Sequence, residues 1–472
     1  METIQENELG TKSIGKLLFN MSFPAIAAQI VNVLYNMVDR MYIGHIPDIG
    51  ADALTGVGVT MPLIMAISAF AALVSMGGAP RASIMMGKKN KEAAEKILGN
   101  CTAALVLIAL ILTAAVLLFG EKLLMLFGAS ENTIGYALDY MNIYAVGTIF
   151  VQLALGLNAF ITAQGFAKTS MLTVTIGAIA NIILDPILIF GFDMGVKGAA
   201  WATIISQAIS AVWVIRFLRG KTTLLIIKRG YMKINFKVLM PCIALGLSPF
   251  IMQLTEGILV ITFNTSLQKY GGDLAVGAMT ILSSVMQFSM LPLMGLTQGA
   301  QPIISYNYGA ENPSRVKHTF ILLLKAAVIY STLIWSISML FPQIFARIFT
   351  SDAHLIDATI SSLRIYMAAS LLLSIQISCQ QTFIALGNAK ASVFLALLRK
   401  VFLLIPLIFI LPQFVENKVN AVFLAEPIAD TIAVIVTGIM FAIQFKKVLR
   451  ELSVSNKTKF TALQSCSPSL LQ

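Results

Sequence analysis

Residues Asn181–Gln207 read NIILDPILIFGFDMGVKGAAWATIISQ. The stretch lies inside a long apolar run, yet it carries an amide, Asn181, and a carboxylate followed by a proline, Asp185–Pro186. A short turn, Gly191–Lys197, follows, and the next apolar run opens with small residues and a hydroxyl, Thr203. A charged side chain at the centre of a helix in lipid costs roughly 2.5–3.5 kcal/mol on insertion scales. Asp185 must therefore be paired, hydrated, protonated or bound to something.

The whole chain shares the character of that stretch. Of its 472 residues 57% are hydrophobic and 12% charged, with a mean hydropathy of +0.84. Soluble domains carry about 25% charged residues, so the composition predicts a polytopic membrane protein in contact with the lipid bilayer. A spanning helix needs about 20 mostly apolar residues. Twelve runs qualify, near 17–44, 53–80, 95–119, 133–160, 168–190, 197–218, 238–268, 274–306, 318–342, 355–386, 391–412 and 420–445. The formal charge of +11 does not point to nucleic acid, because the bases lie in short loops between apolar runs. They alternate. Lys88, Lys89, Lys91 and Lys96 crowd one loop, seven bases crowd residues 216–237, and the tail is rich in them. The loops between carry one each (Lys122, Lys197, Lys269, Arg347 and Lys418), and the first outer loop has none. Basic loops face the cytoplasm, so both termini and the central linker are expected there, in a plasma (bacterial inner) membrane. No cleavable leader is expected, since no small-residue cleavage site follows a short apolar core. Cys101, Cys242, Cys379 and Cys466 show no metal-ligand spacing, and neither disulfide nor structural zinc is expected.

Residues 219–237 divide the chain into an N-terminal six-helix lobe (1–218), a C-terminal lobe (238–445) and a tail (446–472). The halves repeat at an offset of 222 residues. Gly77, Ser83, Gly87 and Asn90 match Gly299, Ser305, Gly309 and Asn312. Phe127 and Tyr144 match Phe349 and Tyr366, and Gly165, Ala167, Lys168 and Ser170 match Gly387, Ala389, Lys390 and Ser392. Identities of Gly, Asn and Lys at one fixed offset are hard to obtain by chance in an apolar chain. An even number of helices per half makes the repeats parallel, related by a pseudo-two-fold axis along the membrane normal, a common transporter build. The expected fold is all-α, with twelve transmembrane helices in two six-helix lobes.

The polar residues inside the runs are the candidates for chemistry. At 1.5 Å per residue, Asp39, Asn181, Asp185 and Thr203 all fall in the outer half of the membrane. Tyr35 stands one turn before Asp39, with Asn36 and Asn32 close by. Carboxylate, amide and hydroxyl oxygens suit a hard cation such as Na⁺, and a carboxylate is also a proton site. The plainer reading is that Asp39 caps a helix end and Asp185 precedes a bend at Pro186. Glu256, in the seventh run, has no base within four positions, so its partner is a residue elsewhere, a proton or a cationic substrate. Arg399 lies roughly 13 Å deep from inside and Asp430 roughly 15 Å deep from outside. With Lys400 and Glu426 they read as a structural charge group near the midplane. Gly177 and Ala208 stand at the matching places of the first half. The methionines suit an adaptable binding surface and ordinary membrane packing equally. The three histidines fall at loops or helix ends, too scattered for a metal cluster.

Taken together, YNMVDRMYIG, NIILDPILIFGFD, GAAWAT and SYNYGA make the chain resemble the multidrug and toxic compound extrusion (MATE) transporters over residues 15–445. The nearest branch is the bacterial one of DinF-like proteins and the staphylococcal multidrug exporter. The resemblance implies two six-helix lobes around a central cleft and cation-coupled export of small organic, usually cationic, drugs by a monomer. It implies no enzymatic activity and no cofactor beyond the coupling ion, H⁺ or Na⁺. It assigns coupling to Asp39, Asn181, Asp185 and Thr203, with Asp39 and Asp185 as metal ligands if the ion is Na⁺. Substrate binding falls to Tyr35, Asn36, Tyr140, Asn158, Glu256 and Gln287. Some relatives use a second-lobe site that includes the acid matching Glu256. Their tenth-helix acid is missing here, where Ser374, Gln376 and Gln380 stand, which favours the first-lobe site. Two other readings compete. A lipid-linked precursor flippase would want a broad basic cleft, and deep bases are few. A polytopic membrane enzyme would want clustered His or Asp at one membrane face, and the acids here are buried singly.

Overall fold

The computed structural model describes residues 8–465, and side chains as far as residue 455; Cys466 lies outside the described residues. The described chain is helical, with no strand. The spanning helices are α1 Ile14–Gly44, α2 Gly50–Gly87, α3 Lys91–Leu126, α4 Ile134–Ala163, α5 Ala167–Gly191 and α6 Gly195–Leu218. A 74-residue helical element, Phe236–Gly309, follows. At about 110 Å it is far longer than a bilayer core of about 30 Å. It breaks at Gly272 (φ 62°, ψ −158°), a backbone region open essentially to glycine alone. Its limbs, 236–271 and 272–309, are α7 and α8. Then come α9 Pro313–Leu340, α10 as Ala353–Tyr366 and Ser370–Ala385 bent by 47°, α11 Ala389–Gln413 and α12 Lys418–Ser465. Twelve spans thus lie among the described residues, as the hydropathy predicts. The difference is at the end, where α12 runs past residue 445 to Ser465. Its extension KKVLRELSVSNK keeps helix-forming residues and an i,i+4 pair between Lys447 and Glu451.

The internal repeat is visible in the backbone. Gly165 and Gly387, matched in sequence, both take positive φ (97° and 78°) in the turns before α5 and α11. Lys89 and Glu311, also 222 residues apart, both sit in the left-handed region (φ 58° and 56°) before α3 and α9. A Cβ on Gly87 would lie 2.0 Å from the Tyr306 carbonyl oxygen, and one on Gly309 would lie 2.0 Å from that of Ile84. Ile84 and Tyr306 are themselves 222 apart. The ends of α2 and α8 thus touch through a self-complementary contact, the signature of a two-fold relation. Only glycine permits that approach.

By contacts the chain forms two compact units. One is Phe23–Ala82 with Lys91–Leu254; the other holds the described residues up to Ser22, Ser83–Asn90 and those from Thr255 onward. In the first unit α4 packs along α3 and α6, and α5 packs on α6. Small residues make the crossings close. A Cβ on Gly147 would strike Ile204, and one on Gly177 would lie 2.4 Å from Ser210 Oγ. With no hydrophobic drive between helices in lipid, such close approach supplies the van der Waals contact that holds them. The central linker is docked on this unit. Gln164 Oε1 accepts from Thr223 Oγ1 (2.8 Å), Leu224 N (2.8 Å) and Leu225 N (2.9 Å). Lys228 pairs with the buried Glu95 at 2.5 Å. That carboxylate holds the Lys228 ammonium above the usual lysine range. Asn100 accepts from Asn235 N at 2.6 Å.

Candidate functional site

The polar residues of the opening stretch fold into the interior of the first unit. Asn181 and Asp185 are one helical turn apart on α5, so both face one way. Asn181 Nδ2 donates to Asp185 Oδ1 at 3.3 Å. Asp185 is fully buried and Asn181 nearly so. Asp39 of α1 is buried beside them, its carboxyl next to that of Asp185. Arg40, next in sequence, is exposed, and no ion pair joins it to Asp39 among the described residues. Thr203 of α6 lies behind, its Oγ1 3.4 Å from the Tyr140 hydroxyl of α4. Tyr140 stacks on Tyr144, with ring centroids 6.2 Å apart. Tyr35 is close enough to feel the charge of both carboxylates.

Three oxygens here are buried without a hydrogen-bond donor: Asp39 Oδ1, Asn181 Oδ1 and Asp185 Oδ2. Buried polar atoms in proteins are almost always satisfied, and two adjacent buried carboxylates cannot both stay charged without a cation. The atoms left over are all acceptors, the donor set of a hard cation. No group of three His, Cys, Asp or Glu among the described residues could hold a metal, so a metal here needs the amide and hydroxyl oxygens too. Just beyond Asp185 the helix widens. Pro186 lacks an N–H to donate, and Ile187–Gly191 form a π-helical turn.

Other expected residues lie elsewhere. Asn158 is 18 residues along α4 from Tyr140, roughly 27 Å. Its amide donates to the Ser170 carbonyl at 3.2 Å, near the start of α5, so it is not part of the carboxylate cluster. Asn36 is half-buried and donates back to the Asn32 carbonyl. Gln287 is exposed on α8.

In the second unit Arg399 is a hub. Its Nε donates to Asp430 Oδ1 (2.6 Å) and its Nη2 to Glu426 Oε1 (2.9 Å). Arg399, Glu426 and Asp430 are thus paired as the sequence suggests, but Lys400 departs from that group. Lys400 is joined by an ion pair to Glu256 of α7, the acid whose partner the sequence left open. Arg399 and Lys400 lie in a π-helical segment, Leu398–Leu404, and reach partners on different helices. Tyr366, buried and edge-on to Phe263, lies in the field of this cluster. Only its match to Tyr144 marked it in the sequence.

A family model described as MatE matches the chain twice, over residues 24–187 and 249–410, once in each half. The chain belongs to the MatE family. Its members are membrane transporters, not enzymes. Among its relatives, the multidrug export protein MepA of Staphylococcus haemolyticus is 26% identical over 400 residues, covering 84% of this chain and 87% of that one. MepA of Staphylococcus aureus is 25% identical over 396 residues, with the same coverage. The fold superposes on a MATE crystal structure in the bent conformation with a TM-score of 0.89, at 21% identity, over 96% of this chain and all of that one. An outward-facing multidrug resistance MATE transporter gives 0.87 at 22% identity, over 95% and 99%.

Proposed function

We propose that this MatE protein is an antiporter that uses H⁺ or Na⁺ to export small organic cations. The observation that carries the reading is the set of three donorless buried oxygens on Asp39, Asn181 and Asp185. The membrane fold and the multidrug export relatives support it. Asp39 and Asp185 are the coupling pair. Asn181 orients Asp185, and Thr203 supplies a further oxygen. Either ion removes the repulsion between the carboxylates. An ion drives transport only by binding two access states with different affinity, and the wide turn after Pro186 is where α5 bends at least cost. Tyr35 and Tyr140 border the pair.

The test is export of ethidium from proteoliposomes under ΔpH and ΔpNa imposed separately. Export under one gradient and none under the other is expected; export unaffected by both would overturn the reading. We place both termini and the linker in the cytoplasm of a bacterial inner membrane, on the loop charges, with the protein a monomer. Single cysteines at Lys228 and Lys122 should label from opposite sides. The flippase reading loses ground, because Arg399 and Lys400 are engaged with acids rather than lining a basic surface.

A further inference from the structure

The charge cluster of the second unit has an uneven sum. Its inner members are the buried Lys400, Glu426 and Asp430 and the partly buried Arg399, two bases and two acids. They balance. The fifth member, Glu256, is a third acid, and its side chain is 54% exposed, whereas that of Lys400 is 3% exposed. By formal count the cluster holds one acid more than its bases, and the extra acid is the exposed one. Lys400 also lies within charge range of Glu426 and Asp430. Its ammonium has other acids to lean on if Glu256 is taken. A four-carbon stem allows that swing, and an ammonium, unlike a guanidinium, is not tied to one planar geometry.

We propose that Lys400 is a tethered stand-in for the transported cation: its ammonium holds the Glu256 carboxylate until a monovalent organic cation displaces it. The proposal rests on the reading above that the substrate is an organic cation. The displaced ammonium falls back on Glu426 and Asp430, and the incoming charge cancels the surplus. Arg399, bonded to both those acids, keeps the site in place during the exchange. A tethered competitor lowers the apparent affinity of the free ligand, and removing it raises that affinity. A Lys400 that plays no part at the ligand site would leave the affinity unchanged when removed.

The experiment is equilibrium binding of ethidium, a permanent cation, to the purified full-length protein by fluorescence anisotropy, with uncharged phenanthridine as control. Lys400→Met should bind ethidium about five- to ten-fold more tightly than wild type and leave phenanthridine binding unchanged. Lys400→Arg should stay near wild type. Glu256→Gln should bind ethidium weakly, and adding Lys400→Met to it should change nothing further. If Lys400→Met does not fold, Lys400→Gln, which keeps a donor toward Glu256 without the charge, reads the same quantity. Ethidium binding by wild type that neither folded variant tightens overturns the proposal and leaves the exporter reading standing. Absence of ethidium binding in every form overturns both.

Discussion

The same helix crossing is built twice in this chain, and the two versions show what duplication conserves. Where α5 meets α6, Gly177 lies against Ser210, and the contact is small, close and uncharged. Where α11 meets α12, the residue matched to Gly177 is Arg399, which reaches Glu426 and Asp430. The exchange holds for every charged member of either site. Asp39 and Asp185 correspond to Ile261 and Leu407 in the second half, while Glu256 and Glu426 correspond to Leu34 and Ile204 in the first. The backbone turns and glycine contacts survive at the 222-residue offset because they fix helix geometry. The buried charges do not, because a site needs only one copy. One half leaves buried acceptor oxygens without donors. The other supplies its own bases.

The first way to break that comparison is to neutralise the first site. We expect Asp185→Asn and Asp39→Asn each to abolish gradient-driven ethidium export, a loss of at least about 100-fold, while ethidium binding stays within a few-fold of wild type. Export by Asp185→Asn at the wild-type rate in proteoliposomes would place coupling elsewhere, with Glu256 next in line. In the second site the large effect should be on stability instead. Arg399→Ala leaves two buried carboxylates unpaired, and breaking such a pair costs about 3–5 kcal/mol. Thermal unfolding should register a marked drop in Tm, or the protein should fail to accumulate in the membrane. If the Tm does not move, the cluster is not what holds α11 to α12.

Smaller effects sharpen the contrast. Thr203→Ala removes one neutral oxygen, worth about 1 kcal/mol. If the ion is Na⁺, the half-saturating sodium concentration should rise about five-fold. If the ion is a proton, Thr203→Ala should hardly alter the pH dependence of export. A large effect on proton-driven transport would give the hydroxyl a role beyond ligation. The smallest shift is expected for Glu256→Gln in thermal unfolding. Its carboxylate is half-exposed, and Gln still accepts from Lys400, so the cost should stay within about 1 kcal/mol. A drop as large as that of Arg399→Ala would show that Glu256 is a strut of the fold rather than an open site.

The sequence by itself determined the membrane class, the helix count and the duplication, and it singled out the polar residues of the first site. All of these follow from chain-local physics. Apolar run length sets the spans, and the i, i+4 spacing put Asn181 and Asp185 on one face of one helix. The break at Gly272 was legible as a short polar gap between runs. Which acid meets which base was not legible, because depth along a helix says nothing about rotation around it. Arg399 and Lys400 are consecutive and so diverge around their helix, and packing decides that one meets the acids of α12 and the other Glu256 of α7. Asn158 is kept from the carboxylate pair by its distance along α4, but its bond to the Ser170 carbonyl was not legible. The anchoring of the linker by Gln164 is likewise tertiary. Its three donors are 59 to 61 residues away in sequence, and a lone glutamine near a helix end gives no sign of them. The tertiary structure decides such pairings because burial forces each polar atom to find whichever partner packing brings within reach.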